Sequence, residues 1–174
     1  MVRSSVLAVV SMALLAGCMP DARVADRLQD YLRLRERLVK EAATGPHLVG
    51  NDPRLHELTE QLRTARAAAA QGDLLGPSAS AIRRRIARRL SASDGEAIAV
   101  ALCRGVHGGP SPRVNDVVSV PVGEVPPQIL AILPQIPLEL GFSSAGRDLV
   151  LLDRGARVVL DVIPRALPAS TIKC

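Results

Sequence analysis

The side chains able to do chemistry in this 174-residue sequence are few and scattered. Cys103-Arg104-Gly105-Val106-His107 sets a thiol and an imidazole with three residues between them, and His47, His56 and Cys174 add further ligand types that zinc accepts. No paired Cys-x-x-Cys fixes a third and fourth ligand, so the reading is a helix-end cysteine beside a solvated loop histidine, with no metal and no cofactor. Seryl chemistry needs a nucleophile on a strained turn, a histidine base and a carboxylate behind it. Gly-x-Ser-x-Gly is absent; Ser111 shares a loop with His107, and Ser143 and Ser144 fall where a turn is predicted. Asp148, Asp153 and Asp161 have the chemistry for a glycosidase pair. Tyr31 and Phe142 are the sole aromatics and Trp is missing, so sugar-stacking platforms are lacking and the three aspartates read as edge and turn carboxylates. No catalytic residue emerges, and the expectation is a non-enzymatic protein.

One charged cluster stands out. Arg83, Arg84, Arg85, Arg88 and Arg89 surround Ile82, Ile86 and Leu90 on a predicted helix. Guanidinium groups grip phosphate bidentately, so the five arginines form a candidate patch for anionic lipid or an acidic envelope partner; the plainer alternative is a solvated helix face. Residues 21–105 carry 15 basic and 11 acidic side chains, whereas residues 106–174 carry 6 of each. Nearly all the positive charge is arginine, with lysine at positions 40 and 173 alone. The shortage of aromatics also argues against single-stranded nucleic-acid binding, which stacks bases on aromatic faces, and no nucleic-acid partner is expected.

The remaining thiol, Cys18, sits in a different setting. Arg3 is followed by an apolar run over residues 6–15, broken only by Ser11, which ends in Leu15-Ala16-Gly17-Cys18. That run is too short to span the hydrocarbon core, which takes about 20 residues as a helix, but it fits the apolar core of a secretory signal, about 7–15 residues long. The ending resembles the lipobox of bacterial lipoproteins. The resemblance implies that the Cys18 thiol receives diacylglycerol, that cleavage falls between Gly17 and Cys18, and that residues 1–17 are lost, leaving 157 of the 174 residues. One acyl chain anchors marginally, two or three hold firmly. Met19 follows Cys18 where an aspartate in that family often signals retention in the inner membrane, so the outer membrane is favoured in a double-membrane cell envelope. Export also leaves Cys103 and Cys174 in a compartment that permits a disulfide, and these two are the candidates for one.

The elements that must position these groups follow from periodicity. A helix from Asp21 to about Ala43 has Val24, Leu28, Tyr31, Leu32, Leu38, Val39 and Ala42 on one face, with the Arg35 stem snorkelling past its edge. Asp52 and Pro53 restart a helix whose stripe is Leu55, Leu58, Leu62, Ala65 and Ala69, stopped by Gln71-Gly72-Asp73. A third helix begins near Pro77 or Ser78. Ser93-Asp94-Gly95-Glu96 has capping-box spacing before a fourth, apolar nearly all round and so expected to be the most buried. Residues 105–112, GVHGGPSP, form the boundary loop between a helical region (18–105) and a β-rich region (106–174). Strands are predicted over residues 114–122, 138–142, 148–152 and 156–163, a short helix over 126–133, and turns over 143–146 and 153–155. Connections this short force antiparallel neighbours, and the almost continuously apolar ARVVLDVI suits a strand covered on both faces. The fold expectation is α+β, with about four N-terminal helices packed on one face of a C-terminal antiparallel sheet of three or four strands.

Within residues 113–168, Val114-Asn115-Asp116, the ILAILPQIP stretch, Gly146-Arg147-Asp148-Leu149-Val150-Leu151 and Ala156-Arg157-Val158-Val159 leading to Asp161 resemble the C-terminal part of a set of exported, uncharacterised bacterial proteins. The same hairpin is more distantly similar to that of small periplasmic proteins linked to nickel and cobalt homeostasis, which carry aromatics where this chain has Leu or Ile. Neither resemblance brings a catalytic residue. The functional expectation is an envelope lipoprotein held on a membrane by its N-terminal lipid and acting as a binding or scaffolding module. The alternatives are a periplasmic accessory in metal or stress homeostasis and an envelope hydrolase.

Overall fold

Val24, Leu28 and Tyr31 recur at steps of three and four and lie buried along one side of α1 (Ala22–Ala42). The computed structural model describes residues 22–42, 53–104, 111–118 and 122–167. In α2 (Pro53–Ala65) the buried stripe is Leu58 and Leu62, and in α3 (Gly76–Leu90) it is Ile82 and Ile86, with Leu90 half-buried. Helix α2 stops well short of the predicted Gln71: residues 66–75 form turns, Ala65 is exposed and Ala69 lies outside the helix. Ala67 to Ala70 have the best intrinsic helix propensity, yet a tertiary acceptor described below takes the backbone N–H groups that follow them.

Helix α4 (Gly95–Arg104) differs from expectation at its start. It begins at Gly95, so Asp94 rather than Ser93 precedes it, and the Asp94 carboxylate pairs with Arg89. It is the most buried helix, as its apolar composition predicts: three of the eight residues whose exposure is described are buried, a larger share than in any other helix. Ile98 and Leu102 face inward, whereas Ala97 and Ala101 are exposed, because the small side chains face outward and only one stripe meets the core. Gly95 allows α4 to turn tightly off α3: a Cβ there would lie 1.9 Å from the Leu90 carbonyl oxygen.

After β1 (Gly123–Glu124) and the single turn α5 (Pro127–Leu130), three strands β2 (Leu140–Ala145), β3 (Asp148–Asp153) and β4 (Val159–Ile163) form a meander. The sheet is antiparallel throughout, in the order β1-β2-β3-β4. Ser143 and Ser144, placed in a turn by the sequence reading, are strand residues opposite Val150 and Leu149; the turn is Gly146-Arg147, with Gly146 at φ 57°. The predicted strand over 114–122 reduces to one bridge, Val117 to Val158, since Asn115 adopts φ 74° and breaks the extended run; residues 119–121 lie outside the described residues. Every residue of β4 is buried, as its apolar run predicts. The fold is α+β: helix residues share one core with Leu149, Leu151, Leu160 and Ile163 on one sheet face, while Val150, Leu152, Val159 and Val162 pack under Val114, Val118 and Val122 on the other.

The register from β3 to β4 pairs Leu151 with Asp161 and Leu152 with Val159, leaving Leu160 opposite no residue. This β-bulge points Leu160 and Asp161 to the same side and takes the Leu160 carbonyl off the ladder. Arg66, in the turn after α2, donates from Nη2 to that carbonyl at 2.9 Å. The Gly95→Ala substitution tests the tight α3–α4 passage: the added methyl meets backbone, so unfolding free energy should fall by about 1–3 kcal/mol in a urea titration.

Candidate functional site

A carboxylate with no exposure must be satisfied from inside the protein, and β3 and β4 each carry one. Asp153 closes β3, and both its oxygens are taken. Oδ2 accepts from the Tyr31 hydroxyl and from Arg35 Nε, each at 2.7 Å, and Oδ1 accepts the Ala156 N–H at 2.8 Å. Asp161, on the bulge, accepts the N–H groups of Gly72 at 2.7 Å, Leu74 at 3.0 Å and Leu75 at 2.7 Å, together with that of Val162. Both carboxylates are fully buried. The sequence reading of Asp153 and Asp161 as edge and turn carboxylates is therefore corrected: they are internal anchors, one holding α1 and the other the turn that leads into α3.

Arg35 is corrected in the same way. It turns inward to Asp153 rather than passing the edge of the stripe, since a fully buried carboxylate left without a partner would be strongly unfavourable. The Arg66 guanidinium lies 5.3 Å from the Tyr31 ring centroid, within cation–π range. Its Nη1 is buried with no hydrogen-bond partner among the described residues, and burial lowers its pKa. Burial first, then the Asp153 charge and hydrogen bond, push the Tyr31 phenol well above its ordinary value of 10.0. These groups form a continuous polar seam between helices and sheet. They have the types of an acid–base site, but Asp153 and Asp161 already accept seven hydrogen bonds from the chain, which makes the seam a structural clamp.

The arginine cluster divides in two. Arg83 donates from Nε to the Pro164 carbonyl at 3.0 Å, and Arg89 forms a two-pronged pair with Asp94. The proposed five-residue patch is thus reduced to Arg84 and Arg88, which are exposed, and Arg85, which is half-buried. None of these three has a carboxylate partner among the described residues.

The serine and histidine candidates do not converge among the described residues. Ser111 donates to Asp148, whose other oxygen accepts the Arg165 N–H at 2.8 Å, in a depression of about 390 Å³ that Arg113 also lines. This serine meets a carboxylate directly, with no described imidazole between them to take its proton. Ser144 is buried in β2 with its hydroxyl unpartnered among the described residues. His56 is exposed on α2. Cys18, His47, His107 and Cys174 lie outside the described residues; Cys103 falls in α4, but its side chain is outside them too. No cluster of three or more His, Cys, Asp or Glu suited to a metal occurs among the described residues. A groove of about 550 Å³ also opens beside Phe142, Leu130 and Val122, with Arg154 and Arg157 in its lining. The signal that would have revealed the internal role of Asp153 and Asp161 is their placement in almost wholly apolar strand sequence, where an aspartate needs internal donors.

The chain matches no family model, no curated protein and no solved structure.

Two substitutions probe the clamp. Asp161→Ala leaves the Gly72, Leu74 and Leu75 N–H groups without their acceptor and should lower stability by roughly 3–5 kcal/mol, read by denaturant unfolding. Tyr31→Phe should remove about 1–3 kcal/mol. Because the folded phenol titrates above the unfolded one, its contribution is complete below pH 10.0 and lost as pH rises beyond it. Wild-type stability should therefore fall in alkali more steeply than that of Tyr31→Phe. As the one tyrosine in a chain without Trp, Tyr31 can be followed directly by its phenolate absorbance.

Proposed function

We propose that this chain is a lipid-anchored protein of the bacterial cell envelope, a non-enzymatic binding or scaffolding module tethered through Cys18. The observation that carries the reading is the order of a charged start at Arg3, an apolar run over residues 6–15 and Leu15-Ala16-Gly17-Cys18, which resembles a lipobox at all four positions. The architecture is consistent with a tethered module, since the first described helix begins at Ala22, four residues beyond the acyl site. No helix among the described residues is long and apolar enough to cross a membrane. Met19 after Cys18 supports the outer membrane. The polar seam supports the non-enzymatic part of the reading, because its buried carboxylates are saturated by the chain itself.

Intact-mass measurement of the chain from the membrane fraction of a bacterial host should give a polypeptide starting at Cys18 and carrying a diacylglyceryl group. Growth with labelled palmitate should mark the wild type and leave Cys18→Ser unmarked. Protein recovered from cytosol with an unmodified Met1 would overturn the anchor.

A further inference from the structure

Four basic residues of the helices are paired with an acid close to them in sequence. Arg33 pairs with Asp30, Lys40 with Glu36, Arg63 with Glu60 and Arg89 with Asp94, each with an acid three to five residues away. Residues 74–93 contain no acidic side chain at all. Arg84 and Arg88 stand one helical turn apart, Arg85 lies beside them, and like charges at that spacing destabilise a helix. The rest of the stripe is small: Ser80 and Ala87 are exposed on either side of Arg84. Beyond its first turn, the exposed side chains of α3 are Ser80, Arg84, Ala87 and Arg88, with Arg85 half-buried beside them.

We propose that this face of α3 docks the domain on an anionic bilayer, with Arg84, Arg85 and Arg88 gripping the phosphates of acidic phospholipid headgroups. The choice of a bilayer over an acidic protein rests on the Cys18 anchor. Four residues of extended chain reach at most about 14 Å, so an acylated Cys18 holds Ala22 that close to the membrane surface. Arg27, in the second turn of α1, donates to the Asp73 carbonyl, three residues before α3 starts. The tether therefore enters the domain at the end where α3 begins, and Arg84 lies about 12 Å along α3 from there. Guanidinium is suited to the task because its planar fork matches phosphate.

The test uses the full-length Cys18→Ser chain, which carries no acyl group, in co-sedimentation with phosphatidylcholine vesicles and with equimolar phosphatidylcholine and phosphatidylglycerol vesicles. Binding should rise on the anionic vesicles. The triple variant Arg84→Gln, Arg85→Gln, Arg88→Gln should lose on the order of 100-fold of that increment, taking about one kcal/mol for each basic residue near an anionic surface. A control triple, Arg33→Gln, Lys40→Gln and Arg63→Gln, removes the same net charge and should retain most of the increment. Equal loss in both triples, or no anionic increment in the parent, would overturn the proposal. So would displacement by inorganic phosphate beyond that by chloride at equal ionic strength, which marks a soluble-phosphate site, or capture of an acidic protein without vesicle binding. Thermal melts of each variant show that the fold is intact. The assay reads the α3 face without the acyl group, so an absent modification at Cys18, seen by mass, would remove the anchor and leave the vesicle result interpretable by itself.

Discussion

Asp161 has no exposure, sits on a bulge, and receives three N–H groups from the turn that opens α3. A helix start leaves backbone donors without partners, and this one has no side-chain cap of its own: Leu75 precedes α3, and its N–H goes to Asp161. The strand carboxylate thus fixes the turn before α3, while the first helical donors, the Gly76 and Ser78 N–H groups, go to the Gly72 and Leu75 carbonyls. The bulge is its counterpart, because it turns Asp161 to the helix side and leaves the Leu160 carbonyl to Arg66. Asp153 repeats the arrangement at the end of β3, where Tyr31 and Arg35 bring α1 onto the sheet. Both carboxylates face guanidinium groups, and a buried ionic network of this kind is satisfied in one alignment of helices on sheet and unsatisfied in the neighbouring ones.

That clamp also explains what could be read from the residues alone. Local periodicity was sufficient for the inward faces: Leu58 and Leu62, Ile82 and Ile86, and the unbroken β4 lie where their spacing puts them. Features decided by distant partners were not legible. Asp153 stands beside Arg154-Gly155 and looks like a turn residue, but its donors Tyr31 and Arg35 lie 122 and 118 positions away. The four alanines at 67–70 favour a helix, but the N–H groups just after them go to Asp161, 86 to 89 positions on. Val114 to Val118 favour a strand, but Asn115 is held at positive φ by an exchange across the molecule, its amide donating to the Arg63 carbonyl at 2.8 Å while Arg63 Nε returns a bond to the Asn115 carbonyl at 3.1 Å. The candidate sites fared as their distances dictate: Arg89 meets Asp94 five residues on, whereas the Pro164 carbonyl that engages Arg83 lies 81 positions away and leaves no local signal.

The near absence of lysine acquires a structural meaning here. Arg63, Arg66, Arg83 and Arg157 each donate to a backbone carbonyl outside regular pairing, at Asn115, Leu160, Pro164 and Val118. Those carbonyls belong to bulges, turns and irregular segments, where the sheet ladder supplies no N–H. A guanidinium donates from Nε and both terminal nitrogens in fixed directions, so it can cap a carbonyl while its remaining edge meets a second group or stacks on a ring, as Arg66 does on Tyr31. An ammonium on a flexible stem has no such geometry. Arginine in this chain therefore stands in for the regular hydrogen bonding that short strands and abrupt turns omit.

Other arginines bond neither carbonyl nor carboxylate among the described residues, and two of them, Arg84 and Arg88, share one helix face. Four basic side chains on the helices pair with an acid nearby in sequence and six arginines, Arg63 in both groups, donate to backbone carbonyls, so each of those positions has an internal reason for its charge. Among the described residues Arg84 and Arg88 have no such partner, and they repel each other on one turn of a helix whose surroundings in sequence lack any acid. Alanine at either position would favour the helix more and remove the repulsion.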